Sequence, residues 1–200
     1  VDENVGVLFE EERHAGELMK LWTSTFGGPS PPRKDECWKR LGFQGTDPAT
    51  DIRGVGMLSI RLMTRMATAH PALHTRLVAR SGKDFSAPGG GYPFACAGVN
   101  VAFLVVDSLG LTRTSDPPRK VPLAKEAVKG RRKLEAMMAR DGGAVFEVFA
   151  AAFAAVDREW DATGATYMAF SQVVKSARSK LLAALSSSKV RTPLDLAAEL

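Results

Sequence analysis

The feature that most constrains how this chain folds is an apolar stretch from Pro93 to Leu109. Alanine, valine, leucine and phenylalanine occupy most of its positions, with proline at its start and Gly110 directly after its end. Proline and glycine in these places are typical helix boundaries, and a helix that is apolar on nearly all sides has to be buried. A buried strand is the alternative, but about seventeen residues is long for a strand. We therefore predict a central buried helix over 93–109.

The remaining sequence also predicts helices, because its apolar residues recur at helical rather than strand spacing. Neither strand alternation nor an internal repeat occurs in the sequence. The predicted fold class is all-α, with a single compact domain over 1–200 and its core over about 17–185. Besides the central one, helices are predicted over residues 10–25, 34–40, 51–70, 72–80, 123–140, 145–160 and 166–186, and from Thr192 onward.

Composition is that of a globular domain. Its 200 residues, 45% apolar and 24% charged, are enough to bury one core. The chain begins at Val1 without a methionine, so we expect a piece of a longer protein. It lacks a signal-peptide pattern, and its longest apolar run, 94–106, is interrupted by Asn100 and is too short to span a bilayer. We expect a soluble, cytoplasmic domain.

The available residues exclude several kinds of site. Cys37 and Cys96 fit no metal-ligand spacing, so we expect free thiols, no metal and no cofactor. The histidines, His14, His70 and His74, are expected at the surface or at helix ends. No nucleophile is set up by a neighbouring base, and no phosphate-loop or dinucleotide motif occurs. A catalytic role would therefore consist of completing another protein's active site.

One arginine has an unexpected position. A loop of turn-forming residues precedes a predicted helix whose N-cap is Thr50 and whose first turn holds Asp51, which suits the helix dipole. Arg53, in the same turn, has the wrong charge for that dipole. Gly54 and Gly56 would each cost roughly 1 kcal/mol relative to alanine inside a helix. These features indicate that Arg53 does not serve helix stability and that another surface comes close to it.

The same residues resemble the signature of the ELMO domain family. A second block, residues 92–95 followed by 98–100, is similar to the family's other recurring segment at a similar separation. Together with collinear helices, the resemblance covers roughly residues 17 to 185. The first block consists of Trp38, residues 41–44, residues 47–48 and residues 50–56.

The resemblance implies a function. ELMO-domain proteins of the smaller, ELMOD type are GTPase-activating proteins for Arf-family GTPases, including Arf-like members, and their activity depends on the signature arginine, which is Arg53 here. The larger ELMO scaffolds partner with exchange factors for Rac and carry the domain without a recognised GTPase-activating function. Ile52 replaces the usual phenylalanine, which is a conservative apolar change. The resemblance thus implies an arginine finger acting on a GTP-bound Arf-family partner, and the alternative is a non-catalytic module that binds a small GTPase or a regulatory partner.

The role of each site residue has a structural alternative. Arg53 can pair with a carboxylate such as Asp47 or Asp107 instead of reaching a partner. Asp51 can act at the helix start or can steady the guanidinium. Gln44 can contact a GTPase or can satisfy loop amides.

The remaining candidates for partner contact are three residues. Gly54 and Gly56 are expected to permit close approach of a partner. Asn100 is expected to connect the central helix to the loop at Gln44 through a buried hydrogen bond. Trp22 and Trp38 are predicted to be core residues.

A basic segment follows the central helix. Residues 113–133 hold eight lysines or arginines against Asp116 and Glu126. This segment can be a solvated helix face, or it can contact acidic membranes as a peripheral surface. Nucleic-acid binding is not expected, because no aromatic residue lies among these charges to stack on bases.

Overall fold

The protein is all-α, as predicted. The computed structural model describes residues 6–52, 54–111 and 124–200, and no strand occurs in these ranges. Short 3₁₀ turns supplement the α-helices at Glu36–Leu41, Pro48–Thr50, Ala79–Gly82 and Tyr167–Ala169. The α-helices of the described ranges are α1 (Glu11–Phe26), α2 (Leu58–Ala69), α3 (Pro71–Val78), α4 (Phe94–Ser108), α5 (Lys125–Arg140), α6 (Ala144–Thr163), α7 (Phe170–Ser186) and α8 (Pro193–Glu199).

Helix α4 is the predicted central helix. It packs against α2, α6 and α7, and most of its side chains are buried. The ring of Phe94 stacks on Phe153 of α6 with centroids 5.6 Å apart. On the α2 side, a Cβ added to Gly98 would lie 2.3 Å from the sulfur of Met63, so the two helices meet closely at this glycine. The sequence of α4 is apolar on nearly all sides because the helix has neighbours on several sides.

The other helices complete the core around α4. Helix α1 packs on α2, α8 on α6, and α5 on α7. Trp22 and Trp38 are core residues, as predicted, and their rings meet edge to face with centroids 5.3 Å apart. A capping box at Thr192 and Asp195 starts α8 where the sequence predicted a helix start.

One predicted helix start is wrong. Helix α2 begins at Leu58 and not near Thr50, which ends a 3₁₀ turn capped by the side chain of Asp47. Gly54 and Gly56 have φ values of 67° and 62°, in the left-handed region that a right-handed helix cannot include. The sequence predicted that these glycines lie inside a helix and weaken it. They lie instead in the loop that precedes α2 and allow its conformation.

Three further predictions need correction. His14 and His74 are buried and not at the surface. His14 accepts a hydrogen bond from the amide of Glu10 at the start of α1, and His74 lies beside Phe94. The helical spacing over 166–186 predicts that Tyr167 points inward, but it is 40% exposed, since a 3₁₀ turn precedes α7 there. Residues 86–91 have the glycine-rich composition of a flexible surface loop, but hydrogen bonds to Arg80, Trp160 and Ala165 hold this stretch in place.

Among the described helices, none is both long and apolar enough to cross a bilayer.

Candidate functional site

The signature loop, residues 52–57, lies between the 3₁₀ turn at Pro48–Thr50 and helix α2. Its side chains at Ile52, Val55 and Met57 are at most 2% exposed and fix the loop to the core. Gly54, in contrast, is exposed to solvent. Arg53 lies outside the described residues, so its role stays a prediction.

The carboxylate of Asp51 organises the neighbouring chain. Its Oδ2 accepts a hydrogen bond from the amide of Gln44 at 2.7 Å and lies 3.9 Å from Sγ of Cys96. Burial raises the pKa of the Cys96 thiol to about 12, and the negative charge of Asp51 adds to this effect. Asp51 therefore connects the Gln44 loop to α4 instead of starting a helix.

A small depression lies beside this carboxylate. It has a volume of about 220 Å³ and is lined by Gln44, Thr50, Asp51, Cys96, Val99 and Asn100. Gln44 and Asn100 are exposed at its rim. Three of the predicted contact residues, Gln44, Asp51 and Asn100, are thus brought together on one surface.

The predicted hydrogen bond of Asn100 is wrong. Its side chain is exposed and donates to the carbonyl of Cys96, one turn earlier in α4, at 2.8 Å. The contact between α4 and the Gln44 loop is made by the backbone, where the amide of Cys96 donates to the carbonyl of Gly42 at 3.3 Å. Asn100 is therefore available at the surface.

Comparison with known proteins identifies the family. The family model described as "ELMO/CED-12 family" matches residues 2–174. The chain belongs to the ELMO/CED-12 family.

Relatives with this domain are longer proteins. ELMO domain-containing protein A of Dictyostelium discoideum is 28% identical over 92% of this chain and 19% of its own length. ELMO domain-containing protein C of the same organism is 27% identical over 84% of this chain and 26% of its own length. Human ELMO domain-containing protein 2 is 31% identical over 44% of this chain and 29% of its own length. The chain therefore spans only about a fifth to a third of the length of these relatives.

Phe103 lies beside the signature loop of this ELMO domain and is not among the residues predicted to form the site. It is 45% exposed although it belongs to the central apolar helix. A Cβ added to Gly54 would lie 3.2 Å from the Phe103 ring, so the ring borders the exposed part of the loop. Together with Asn100, Phe103 gives α4 one solvent-facing edge next to the ELMO signature.

At Gly56 the close approach takes place within the chain. Gly56 is buried, and a Cβ at this position would lie 2.1 Å from the carbonyl oxygen of Val7. The small residue therefore makes room for the N-terminal segment. Of the two glycines of the signature loop, Gly54 is therefore the exposed one.

The two carboxylates considered as partners of Arg53 both have ion pairs with other arginines. Asp47 pairs with Arg33 at 2.8 Å, and Asp107 pairs with Arg178 at 2.9 Å. No cluster of three or more metal-ligating side chains is present in the described parts of the chain.

The basic segment lies partly outside the described residues, which resume at 124. In α5, Arg131 pairs with Glu135 at 2.8 Å and donates to the carbonyl of Gly110 at 2.9 Å. Lys133 donates to the carbonyl of Ser187. Lys125, Lys129 and Arg132 are exposed. Part of the basic charge is thus used in holding α5 to the fold.

Proposed function

We propose that this ELMO domain accelerates GTP hydrolysis by a GTP-bound small GTPase of the Arf family, to which it supplies Arg53. The observation that carries the proposal is an arginine at the signature position in a chain that belongs to the ELMO/CED-12 family. ELMOD-type members depend on this arginine for their activity, as the resemblance implies.

An arginine is the residue type that this reaction needs. Transfer of the γ-phosphoryl group spreads charge over its oxygens, while the GTPase itself holds magnesium and the attacking water. A guanidinium is always protonated and presents donors in a planar fork, so it can bind two oxygens at once. Fingers supplied in trans contribute about 10³ to 10⁵ in rate.

The surface around the signature loop suits a protein partner. Ile52 and Val55 fix the loop to the core, whereas Gly54 is exposed between them. Phe103 and Asn100 provide an apolar and a polar contact at its side. A rigid loop flanked by an exposed aromatic side chain is what a finger needs to reach a partner's nucleotide in a fixed geometry.

Single-turnover GTP hydrolysis on a panel of Arf and Arf-like proteins tests the proposal. We expect the native domain to accelerate at least one of them, and Arg53→Ala to lose about 10³-fold or more of that acceleration. Arg53→Lys should remain defective, because it keeps the charge without the fork. Arg158→Ala, at an exposed arginine of α6, is the matched control and should retain the native rate.

Two results would contradict the proposal: no acceleration of any GTPase by the native domain, or full activity of both Arg53 variants. Binding of a GTP-bound GTPase without acceleration would favour the non-catalytic interaction module instead.

A further inference from the structure

The N-terminal strap, residues 6–9, crosses the signature loop and is hydrogen-bonded to it on both sides of Gly56. The amide of Gly6 donates to the carbonyl of Val55 at 3.2 Å, and the amide of Met57 donates to the carbonyl of Val7 at 2.8 Å. Two backbone bonds of this kind fix the strap and the loop relative to each other.

Gly56 lets the strap come this close. Its φ of 62° is one that residues with a side chain rarely adopt. A Cβ there would meet three backbone atoms of Val7 at 2.1–2.8 Å, and backbone atoms cannot rotate away as a flexible side chain can. Any larger residue at this position must therefore displace the strap or the loop.

The strap is itself anchored to the fold. Val7 and Phe9 pack against the core, and the guanidinium of Arg33 lies 5.7 Å above the Phe9 ring. Arg33 also pairs with Glu11 of α1 and, at 2.8 Å, with Asp47 of the 3₁₀ turn before the loop. One arginine thus links the strap, the first helix and the turn that leads into residue 52.

From these contacts we infer that the N-terminal strap positions the signature loop, and that Val7 and Gly56 are positioning residues for the action of Arg53. The catalytic part of this inference rests on the proposed function. The contacts between the strap and the loop do not depend on it. A finger contributes only when its guanidinium is held near the productive geometry. The buried side chains of Ile52, Val55 and Met57 anchor the loop to the core, and the two hydrogen bonds of the strap add a backbone constraint on both sides of Gly56.

Gly56→Ala tests the inference, with Gly28→Ala as matched control. Gly28 has a φ of 67°, but a Cβ there would meet no atom within 4 Å, so its substitution carries the backbone strain without the collision. We expect Gly56→Ala to lower the maximal single-turnover rate at least tenfold. The domain concentration that gives half the maximal rate should change less than twofold, and Gly28→Ala should leave both unchanged.

A second pair of variants acts from the strap side. Phe9→Ser removes the apolar anchor, and Phe9→Leu retains it. The maximal single-turnover rate should fall in Phe9→Ser and should stay near the native value in Phe9→Leu. On an Arg53→Ala background, Gly56→Ala should cause no further loss, because both changes remove the same contribution.

Hydrogen exchange of the Met57 amide, measured by NMR, tests the contact between strap and loop independently of catalysis. Exchange should be at least tenfold faster in Gly56→Ala than in the native domain and Gly28→Ala. An unchanged exchange rate would show that the strap does not constrain the loop. Faster exchange with an undiminished hydrolysis rate would refute the positioning role. No acceleration by the native domain would overturn the proposed function, and Met57 exchange would still decide whether the strap holds the loop.

Discussion

Nε of Arg80 donates a hydrogen bond of 2.8 Å to Oδ1 of Asp157, and the two residues are 4% and 1% exposed. The other guanidinium nitrogens donate to Asp161 and to the carbonyls of the glycine-rich stretch. Burial alone would lower the pKa of Arg80, but Asp161 and Asp157 raise it overall. Tyr92 also donates to Asp157 at 2.8 Å, so this ion pair connects the 3₁₀ turn before α4, the segment leading into α4, and α6.

Replacing Arg80 with methionine should destabilise the domain strongly. Removing one partner of a buried ion pair costs about 3–5 kcal/mol, because the other charge stays buried. Arg76 keeps a contact of 3.1 Å to Asp157, so we expect a loss near the lower end, about 3 kcal/mol in the free energy of unfolding by urea.

The control for this prediction is Lys39→Met. Lys39 also binds a carboxylate, that of Glu36, but the two side chains are 50% and 72% exposed. An exposed pair contributes at most about 1 kcal/mol. Similar losses in the two variants would contradict the assignment of Arg80 as a buried structural residue.

The helices could be predicted from sequence where the signal is local. The capping residues Thr192 and Asp195 and the stripe that includes Phe149 and Trp160 each specify a helix through neighbouring positions. The signature loop could not be predicted in this way. The conformation of Gly56 is tied to its contact with Val7, which is remote in sequence.

The site was only partly predictable for a related reason. The family resemblance pointed to Gln44, Asp51 and Asn100, which the fold brings to one depression. Phe103 was missed because α4 is apolar on nearly all sides. Asn100 and Asp107, three residues before and four residues after Phe103, lie on the same side of α4 and are the sequence signal that marks this side as uncovered.

His74 should make stability depend on pH. Burial lowers the pKa of His74 to about 4, and its Nδ1 has no hydrogen-bond partner among the described residues. An unfolded histidine has a pKa of about 6.5, so between these values the unfolded state binds the proton and the folded state does not. This contribution is present in full above about pH 6.5 and is lost towards pH 4, by up to about 1.4 kcal/mol per pH unit.

The difference between native and His74→Gln domains isolates this effect. Urea unfolding at pH 7, 6 and 5 should give a steeper loss of stability in the native domain. Carboxylate titrations affect both proteins and cancel in the comparison. Parallel pH dependence of the two proteins would show that His74 does not titrate as expected.

Cys96 should react slowly with alkylating agents. A thiol with a pKa of about 12 is far less ionised at pH 8 than a free cysteine with a pKa of about 8.5, and the thiolate is the reactive form. Iodoacetamide should therefore modify Cys96 at least about a hundredfold more slowly in the native domain than in urea, as measured by mass spectrometry. Asp51→Asn should speed the native reaction by removing the nearby negative charge. A native rate within tenfold of the rate in urea would contradict the environment described for this thiol.

Phe103→Ala should weaken partner binding more than catalysis. Phe103 is 45% exposed beside Gly54, so in the proposed complex we expect it to contact the GTPase surface and not the reacting atoms. Truncating an aromatic interface residue commonly costs more than about 1 kcal/mol, and about 1.4 kcal/mol corresponds to tenfold in affinity. In single-turnover hydrolysis, the domain concentration for half-maximal rate should rise about tenfold, while the maximal rate should change less than threefold. Leu194→Ala, at a leucine of α8 that is 80% exposed, is the matched control and should change neither quantity. An unchanged half-maximal concentration for Phe103→Ala would remove this edge of α4 from the partner surface.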